Sequence, residues 1–240
     1  NFCSTTFNKH HKTRNEISNN IVEYNPKPGI TIPIMIHLDQ TITKNLTKEY
    51  KIKKKEKAMM FFKKILKNVE SLFMKPSLHQ NIHFVLLDVK ILRNGTNKFK
   101  MDEHISKYLK SYCQWQGEKK KAKKKWYFSI LFTGLDLYYL DRNQVEVRSS
   151  TGRGYKGGIC SPRNSCSLLE WHHRNIAYIL AHELAHSLGI SHDGPHQCPE
   201  RRYIMNAKYN PKNPATSWSP CTKRELKQFL LSKKSWCLRV

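Results

Sequence analysis

Apolar and polar positions alternate with a period of two along Gly29–Leu38, which predicts a half-buried β-strand. The apolar positions of this strand are Ile30, Ile32, Ile34 and Ile36. Pro33 lies between them and removes one backbone donor from the strand. Two further apolar runs predict strands at Asn81–Leu92 and Trp126–Leu131, and Val145–Cys160 predicts one or two short strands around a glycine-rich turn.

Apolar residues spaced three and four positions apart, with polar residues between them, predict four helices. The predicted helices span Thr47–Met74, Asp102–Gln116, Trp171–Leu188 and Thr222–Leu231. Thr222 is expected to cap the last helix, because Glu225 stands three residues further on. Strands and helices alternate up to residue 189, which predicts an α/β or α+β fold, and the remainder is irregular except for the last helix.

The length of 240 residues and the 39% hydrophobic content suit one domain, or one domain divided by a cleft. Residues 1–25 are polar and lack periodicity, so we predict an N-terminal arm there, followed by a single domain over residues 26–240. The longest apolar stretches are shorter than the roughly 20 residues of a membrane-spanning helix. No signal-peptide pattern opens the chain, so we expect a processed mature form without a transmembrane segment.

The seven cysteines include no C-x-x-C pair, which favours disulfides over structural zinc of the ribbon type. Two N-x-[ST] sequons predict glycosylation at Asn45 and Asn94. Disulfides and glycosylation both belong to the secretory route, so the chain is predicted to be secreted and extracellular. The odd number of cysteines leaves at least one thiol free or paired outside the chain.

The chain carries 43 Lys and Arg against 18 Asp and Glu, a formal net charge of +25. This charge by itself indicates nucleic acid, heparin-like polyanions or anionic membranes as partners. Two lysine clusters, Lys51–Lys57 and Lys119–Lys125, contribute much of it. Such runs usually form a solvated face, and the functional alternative is a surface that gathers anionic glycosaminoglycan or membrane. No motif with interleaved aromatic residues supports specific binding of nucleic acid, and we predict none.

The most informative motif is His182-Glu183-Leu184-Ala185-His186, followed by Gly189 and His192. Histidines at positions i and i+4 project from one face of a helix, so both imidazoles can bind one metal ion. Gly189 can adopt positive φ and lets the chain turn back, so that His192 supplies a third ligand. Three protein nitrogens leave the fourth tetrahedral position to water, which is typical of catalytic rather than structural zinc. The pattern arises by chance in about one in ten thousand chains of this composition.

These residues resemble the metzincin metalloproteases, in which a methionine-containing turn follows the third histidine, here Ile204-Met205-Asn206. Asp193, directly after His192, resembles the reprolysin (adamalysin, ADAM-type) branch. The resemblance to this family extends to two further segments and two cysteine positions: Leu131–Asp136, Gly157–Pro162, Cys221 and Cys237. The resemblance covers about residues 28–240. Salivary and venom metalloproteases of arthropods are similar as well.

The resemblance implies a zincin fold: a twisted mixed sheet with helices in a large N-terminal subdomain (26–189), a small irregular C-terminal subdomain (190–240), and an active-site cleft between them. It implies one catalytic Zn²⁺ bound by the three histidines, with Glu183 as general base. Structural support is implied for Met205, Asp193 and Gly189. The substrate-binding residues that it implies are Gly152, Gly157, Gly158, Asn206 and Ala207.

The resemblance also implies two disulfides, Cys160–Cys237 and Cys198–Cys221. One more pair is expected among Cys3, Cys113 and Cys166, which leaves one cysteine over. The chain departs from the family at the calcium site, because no acidic residue stands at the matching helix position near Cys113. We therefore predict zinc and no calcium.

The sequence thus predicts a secreted, monomeric metalloendopeptidase that hydrolyses extracellular proteins, such as matrix proteins or the clotting protein fibrinogen, and that acts as a toxin. An intact histidine triad with Glu183 supports this prediction. The alternative is a binding protein with a protease fold, whose basic surface acts on glycosaminoglycan or membrane.

Overall fold

The computed structural model describes residues 29–92, 99–123, 125–148, 152–171, 175–194, 198, 203–207 and 212–239. The predicted N-terminal arm, Cys3 and Asn94 lie outside these ranges. The helices are α1 (Gln40–Tyr50), α2 (Lys55–Phe73), α3 (Ile105–Lys123), α4 (Ile176–Ser187) and α5 (Pro220–Leu231). The strands are β1 (Ile30–Leu38), β2 (Ile82–Ile91), β3 (Phe128–Thr133), β4 (Tyr139–Leu140), β5 (Glu146–Val147), β6 (Gly152–Gly154) and β7 (Cys166–Glu170).

Five of these strands form one mixed sheet in the order β2-β1-β3-β7-β6. The first four run parallel to one another, and β6 runs antiparallel to β7 at one edge. Strands β4 and β5 form a separate two-stranded antiparallel sheet. The prediction of a mixed sheet with helices is confirmed. No helix within the described part of the chain is long and apolar enough to cross a bilayer.

The two faces of the sheet pack on two different hydrophobic cores. Ile32, Ile34 and Ile36 are fully buried in a core that also contains residues of α2 and α4. On the opposite face, Leu131 of β3 and Leu168 of β7 pack in a second core with residues of α3. Because successive side chains of a strand point to opposite faces, the sheet separates α3 from α2 and α4.

The predicted helix Thr47–Met74 is wrong at its start, because two helices occupy this region. Asp39 caps α1, and its carboxylate accepts a hydrogen bond from the Ile42 N–H at 3.1 Å. Lys51 ends α1 in a left-handed conformation with φ 56°, and α2 begins at Lys55. Helical periodicity alone does not reveal such a break, since apolar residues continue on both sides of it.

Two helix starts also differ from the prediction. Trp171 lies outside α4, because its N–H donates to the Thr133 carbonyl at 2.8 Å and so continues the sheet pairing beyond β7. The N-cap of α5 is Ser219 rather than Thr222: the Ser219 hydroxyl accepts from the Thr222 N–H at 3.0 Å. Pro220 then occupies the first turn, where its missing N–H costs nothing.

Other differences concern segments without a clear period. Strand β7 was not predicted, because it is buried on both faces and shows no alternation. The two-residue strand β4 is too short to give a pattern, whereas β5 and β6 lie within the segment Val145–Cys160, where one or two short strands were predicted. Helix α3 continues beyond Gln116 to Lys123, so part of the second lysine cluster is helical.

Candidate active site

Helix α4 and the turn after it bring three imidazoles together. His182 and His186 are one helical turn apart, and their ring centroids lie 4.7 Å from each other. The chain reverses at Gly189, whose φ is 86° and whose N–H donates to the His186 carbonyl at 2.9 Å. His192 then returns to the helix, and its Nε2 lies 3.0 Å from the Nε2 atoms of both His182 and His186.

Backbone carbonyls orient two of the rings. The His182 Nδ1 lies 2.8 Å from the Ile204 carbonyl oxygen, and the His186 Nδ1 lies 2.8 Å from that of Ile190. A carbonyl accepts a hydrogen bond, so each Nδ1 carries the proton and each Nε2 keeps its lone pair. The Tyr178 hydroxyl also donates to the Ile204 carbonyl, at 3.0 Å, which holds this acceptor in place.

This arrangement fits a divalent metal ion. The Nε2 lone pairs of His182 and His186 both point to the Nε2 of His192, and a single proton there cannot hydrogen-bond to both. A cation at the centre satisfies all three nitrogens. Within the described residues, these three histidines form the group that could hold a metal ion, and their candidate ligand atoms all lie within 4.8 Å of one another. Three imidazoles are a zinc donor set with one open position.

The surroundings of the rings favour their neutral, metal-binding form. Burial, and then the neighbouring His186, lowers the pKa of His182 to about 3. Burial likewise lowers the pKa of His186 to about 4 and lowers that of His192. A neutral imidazole is the form that donates its lone pair to a metal.

Glu183 lies between α4 and the edge strand β6 and is only 6% exposed. Burial raises the pKa of its carboxyl to about 8, opposed by the positive charge of Arg153 and a hydrogen bond from the Gly154 backbone. The approach of β6 depends on glycine: a Cβ on Gly152 would lie 3.0 Å from Cγ of Glu183. Glu183 follows His182 directly on α4, the helix that carries two of the three histidines.

The segment after His192 is tied to the histidines and to α5. The Asp193 N–H donates to the Met205 carbonyl at 2.9 Å, and Met205 is fully buried. The Asp193 carboxylate accepts from the Ser219 hydroxyl at 2.5 Å, which links this segment to the N-terminus of α5. Glu225 was expected to mark a cap at Thr222. Its carboxylate instead accepts a hydrogen bond from the Ser191 N–H at 2.6 Å, next to His192.

The residues expected to bind substrate occupy different environments. Gly152 lies on β6 against Glu183, Asn206 is half-buried, and Ala207 is exposed. Gly157, with φ 68°, forms a turn whose N–H donates to the His186 carbonyl. Gly158 is buried, and a Cβ there would lie 2.6 Å from the Asn164 carbonyl, so it packs within the turn rather than at an open surface.

Three disulfides join the described cysteines. Cys160–Cys237 and Cys198–Cys221 have S–S distances of 2.05 and 2.18 Å, and these are the pairs implied by the resemblance. Cys113–Cys166, at 1.98 Å, links α3 to β7. The sequence left this third pair open, because no local spacing relates its two cysteines. Asn45, a predicted glycosylation site, is half-buried on α1.

Sequence reasoning missed several groups that shape the site. The carbonyls of Ile190 and Ile204 and the Tyr178 hydroxyl carry no recognisable sequence signal, because backbone acceptors occur at every residue. Arg153 had a weak signal, as a charged residue between two glycines of a predicted short strand.

Comparison with known proteins agrees with this geometry. Residues 35–239 match the model of the family described as Reprolysin (M12B) family zinc metalloprotease. The chain is 29% identical over 196 residues to A disintegrin and metalloproteinase with thrombospondin motifs 19 of Homo sapiens, covering 75% of this chain and 16% of that protein. It is 27% identical over 224 residues to A disintegrin and metalloproteinase with thrombospondin motifs adt-1 of Caenorhabditis elegans, covering 88% and 15%. The chain thus spans about a sixth of the length of these relatives.

A solved structure shows a similar fold. Metalloproteinase-II from Bacteroides fragilis superposes with a TM-score of 0.54 at 15% sequence identity, over 85% of this chain and 54% of that one. The family match covers most of the chain and includes all three histidines. The chain therefore belongs to the reprolysin (M12B) family of zinc metalloproteases.

Proposed function

We propose that this chain is a secreted zinc endopeptidase that hydrolyses peptide bonds of extracellular proteins, with matrix proteins and fibrinogen as candidate substrates. The observation that supports it most directly is the convergence of three imidazoles, with the buried Glu183 directly after His182 on the same helix. A metal site that served only to stabilise the fold would need a fourth protein ligand and no adjacent carboxylate.

The residues have distinct roles in the proposed reaction. When bound by the three histidines, Zn²⁺ supplies a Lewis acid that lowers the pKa of water towards ~7 and polarises a carbonyl. Glu183 removes a proton from the attacking water as its oxygen bonds to the peptide carbon. Glu183 then delivers that proton to the leaving nitrogen as the C–N bond breaks. The charge of Arg153 and the Gly154 hydrogen bond both favour the ionised carboxylate that accepts the proton.

Strand β6 is the proposed docking site for an extended substrate. It pairs with β7 along one side and, within the described residues, carries no strand on the other. A peptide that adds to this edge would make backbone hydrogen bonds next to Glu183. Asn206 and Ala207 are proposed to contact the substrate from the opposite side of the cleft, with residues 26–189 and 190–240 as its two walls.

The cysteines support secretion. Cys113, Cys160 and Cys198 each form a disulfide with a cysteine distant in sequence. Such bonds persist in oxidising compartments and are rare in the cytosol. An extracellular location in turn favours extracellular proteins as substrates.

The test is digestion of casein and fibrinogen by the wild type and by Glu183→Gln, with zinc content measured for both. We expect the variant to keep one equivalent of zinc, because the histidines are unchanged, and to lose at least about 10²-fold in rate. A chelator should stop the wild type, and added zinc should restore it. If Glu183→Gln cleaves as fast as the wild type, the proposed mechanism is wrong.

A second candidate function rests on the basic surface. Exposed lysines of β2 and α3 come together: burial, and then the like charges of Lys90 and Lys123, lower the pKa of Lys119. None of the described carboxylates forms a salt bridge with these lysines, and like charges held close in this way favour a polyanionic ligand. The first lysine cluster is partly neutralised, because Lys55 pairs with Asp88 at 2.7 Å. We therefore place the proposed glycosaminoglycan surface at Lys90, Lys119 and Lys123.

Heparin affinity tests this second function separately. The double variant Lys119→Gln, Lys123→Gln is expected to elute from immobilised heparin at clearly lower salt than the wild type. The matched control, Lys63→Gln with Lys67→Gln on α2, removes the same charge elsewhere. Equal losses for the two double variants would show that only net charge matters. If the zinc-loaded wild type cleaves no substrate, and its heparin binding is strong and is lost only in the Lys119, Lys123 variant, the binding function replaces the peptidase function.

A further inference from the structure

Arg153 stands in the middle of β6 and faces away from Glu183. Its neighbours Gly152 and Gly154 both face α4, since Cβ atoms built on them would lie nearest to residues of that helix. Side chains alternate along a strand, so Arg153 points to the opposite face of the sheet. There its guanidinium donates to the Ser106 hydroxyl at 2.5 Å and lies 5.9 Å from the centre of the Tyr139 ring.

The charge of Arg153 is not neutralised by a contact. No carboxylate lies within salt-bridge distance of its guanidinium in the described ranges of the chain. The nearby acidic side chains are engaged by another arginine: Arg148 pairs with Glu103, Asp136 and Glu146 at 3.3 to 3.4 Å. Arg153 is half-buried, with a hydroxyl and an aromatic ring as neighbours that fix its position without cancelling its charge.

Arg153 lies on β6, the edge strand proposed to pair with an extended substrate. Gly152, one residue before it, would touch Glu183 if it carried a Cβ. A peptide paired with β6 has one residue directly opposite Arg153, and cross-strand neighbours project to the same face with Cβ atoms about 4.5–5.5 Å apart. Since a strand rises about 3.3 Å per residue, that substrate residue lies within about three positions of the bond next to Glu183.

We propose that Arg153 makes the enzyme selective for substrates with Asp or Glu at the position that lies opposite it on β6. The guanidinium can form a charge-assisted, bidentate hydrogen bond to a carboxylate, which neither Gln nor Lys in the substrate can accept in the same way. In this role Arg153 contacts the substrate side chain, which is separate from the effect of its charge on the pKa of Glu183. This proposal rests on the proposed peptidase function.

The experiment uses quenched fluorescent peptides of one neutral sequence, with Glu, Gln or Lys placed at each position in turn on both sides of the cleaved bond. For the wild type we expect one position where Glu is preferred over Gln by about tenfold in kcat/KM, which corresponds to about 1.4 kcal/mol. High salt should reduce the preference, because the pair is partly exposed. Arg153→Gln should remove the preference, taken within each variant as the ratio of kcat/KM for the Glu and Gln peptides, because loss of this charge also raises the pKa of Glu183 and lowers the rate for every peptide alike. Arg153→Glu should favour Lys at the same position.

The matched control is Arg142→Gln, which removes one positive charge from the exposed turn between β4 and β5. It should retain the preference for Glu. The proposal is overturned if the wild type shows no position where Glu exceeds Gln, or if Arg153→Gln keeps the full preference. Should Arg153→Gln fail to fold, the wild-type preference and its salt dependence decide alone. Absence of cleavage of every peptide by the zinc-loaded wild type contradicts the peptidase function instead.

Discussion

Replacing Gly152 with alanine perturbs the position of Glu183 without changing any group that takes part in the proposed chemistry. The added Cβ would lie 3.0 Å from Cγ of Glu183 and 3.3 Å from its Cδ and Oε1. Carbon atoms that are not bonded approach comfortably at about 3.5–4.0 Å, so the glutamate must shift by about half an ångström. Glu183 is buried between α4 and β6, and its backbone is fixed in the helix, so the shift falls on the carboxylate.

The size of the effect follows from the sensitivity of catalysis to geometry. A misplacement of about 1 Å can cost about 10²-fold in rate, so we expect Gly152→Ala to lower kcat about tenfold. KM should change little, because the backbone of β6 keeps its hydrogen-bonding groups. Neither zinc content nor fold should be lost, since the φ angle of Gly152 is not left-handed and alanine also restricts the unfolded chain.

Gly154→Ala is a matched control on the same strand and the same face. Its Cβ would lie no closer than 3.5 Å to any atom, the nearest being Oγ of Ser187, which is ordinary contact. Steady-state kinetics on one neutral peptide, with metal analysis and thermal unfolding of each variant, distinguish the two. If Gly152→Ala retains full kcat, or if Gly154→Ala loses as much, the position of Glu183 does not depend on the approach of β6.

Three further predictions concern stability, each measured by urea unfolding of the oxidised protein. Gly189→Ala should cost about 1–3 kcal/mol, because φ is 86° and the new Cβ would lie 2.7 Å from the Phe229 ring; unchanged stability would contradict this. Removing Cys113–Cys166 by a serine pair should cost about 4 kcal/mol on the loop-entropy model, given the sequence separation of 53 residues, and a loss below about 1 kcal/mol argues against it. Burial lowers the pKa of Lys120 to about 7, so above that pH the unfolded chain binds more protons than the folded chain. The free energy of unfolding of the wild type should therefore rise by about 2 kcal/mol from pH 7 to 9, relative to that of Lys120→Met. Parallel pH profiles of the two proteins would refute this pKa.

Much of the fold followed from periodicity, and the exceptions have physical causes. Strand β1 was predicted because isoleucines on one face fill a core, whereas Thr31, Pro33 and Met35 on the other face are not fully buried, so its apolar residues alternate. Strand β7 was missed because both faces are buried, which removes the alternation. The break at Lys51 was missed because its left-handed conformation carries no glycine or asparagine signal. Helix α4 was placed correctly around the histidines but began later than expected.

The lysine cluster shows how tertiary contacts alter the interpretation of a charge run. A run of this kind usually predicts a solvated face, and Lys119 and Lys123 are exposed. Lys120 between them is 3% exposed, and its ammonium donates to the carbonyl and hydroxyl of Ser165 at 2.6 and 2.7 Å. The helical period turns one residue in such a run towards the sheet, but composition cannot say which.

The sequence by itself determined the metal-binding pattern, because a helical period aligns His182 with His186 and a glycine then permits the turn to His192. These relations are local, and they hold wherever the helix lies. The tertiary structure decided the rest: it set Glu183 against β6, paired Cys113 with Cys166, and turned the carbonyl of Ile204 towards His182. Such contacts join segments far apart in the chain, and they depend on how the sheet and helices pack, which no short spacing in the sequence encodes.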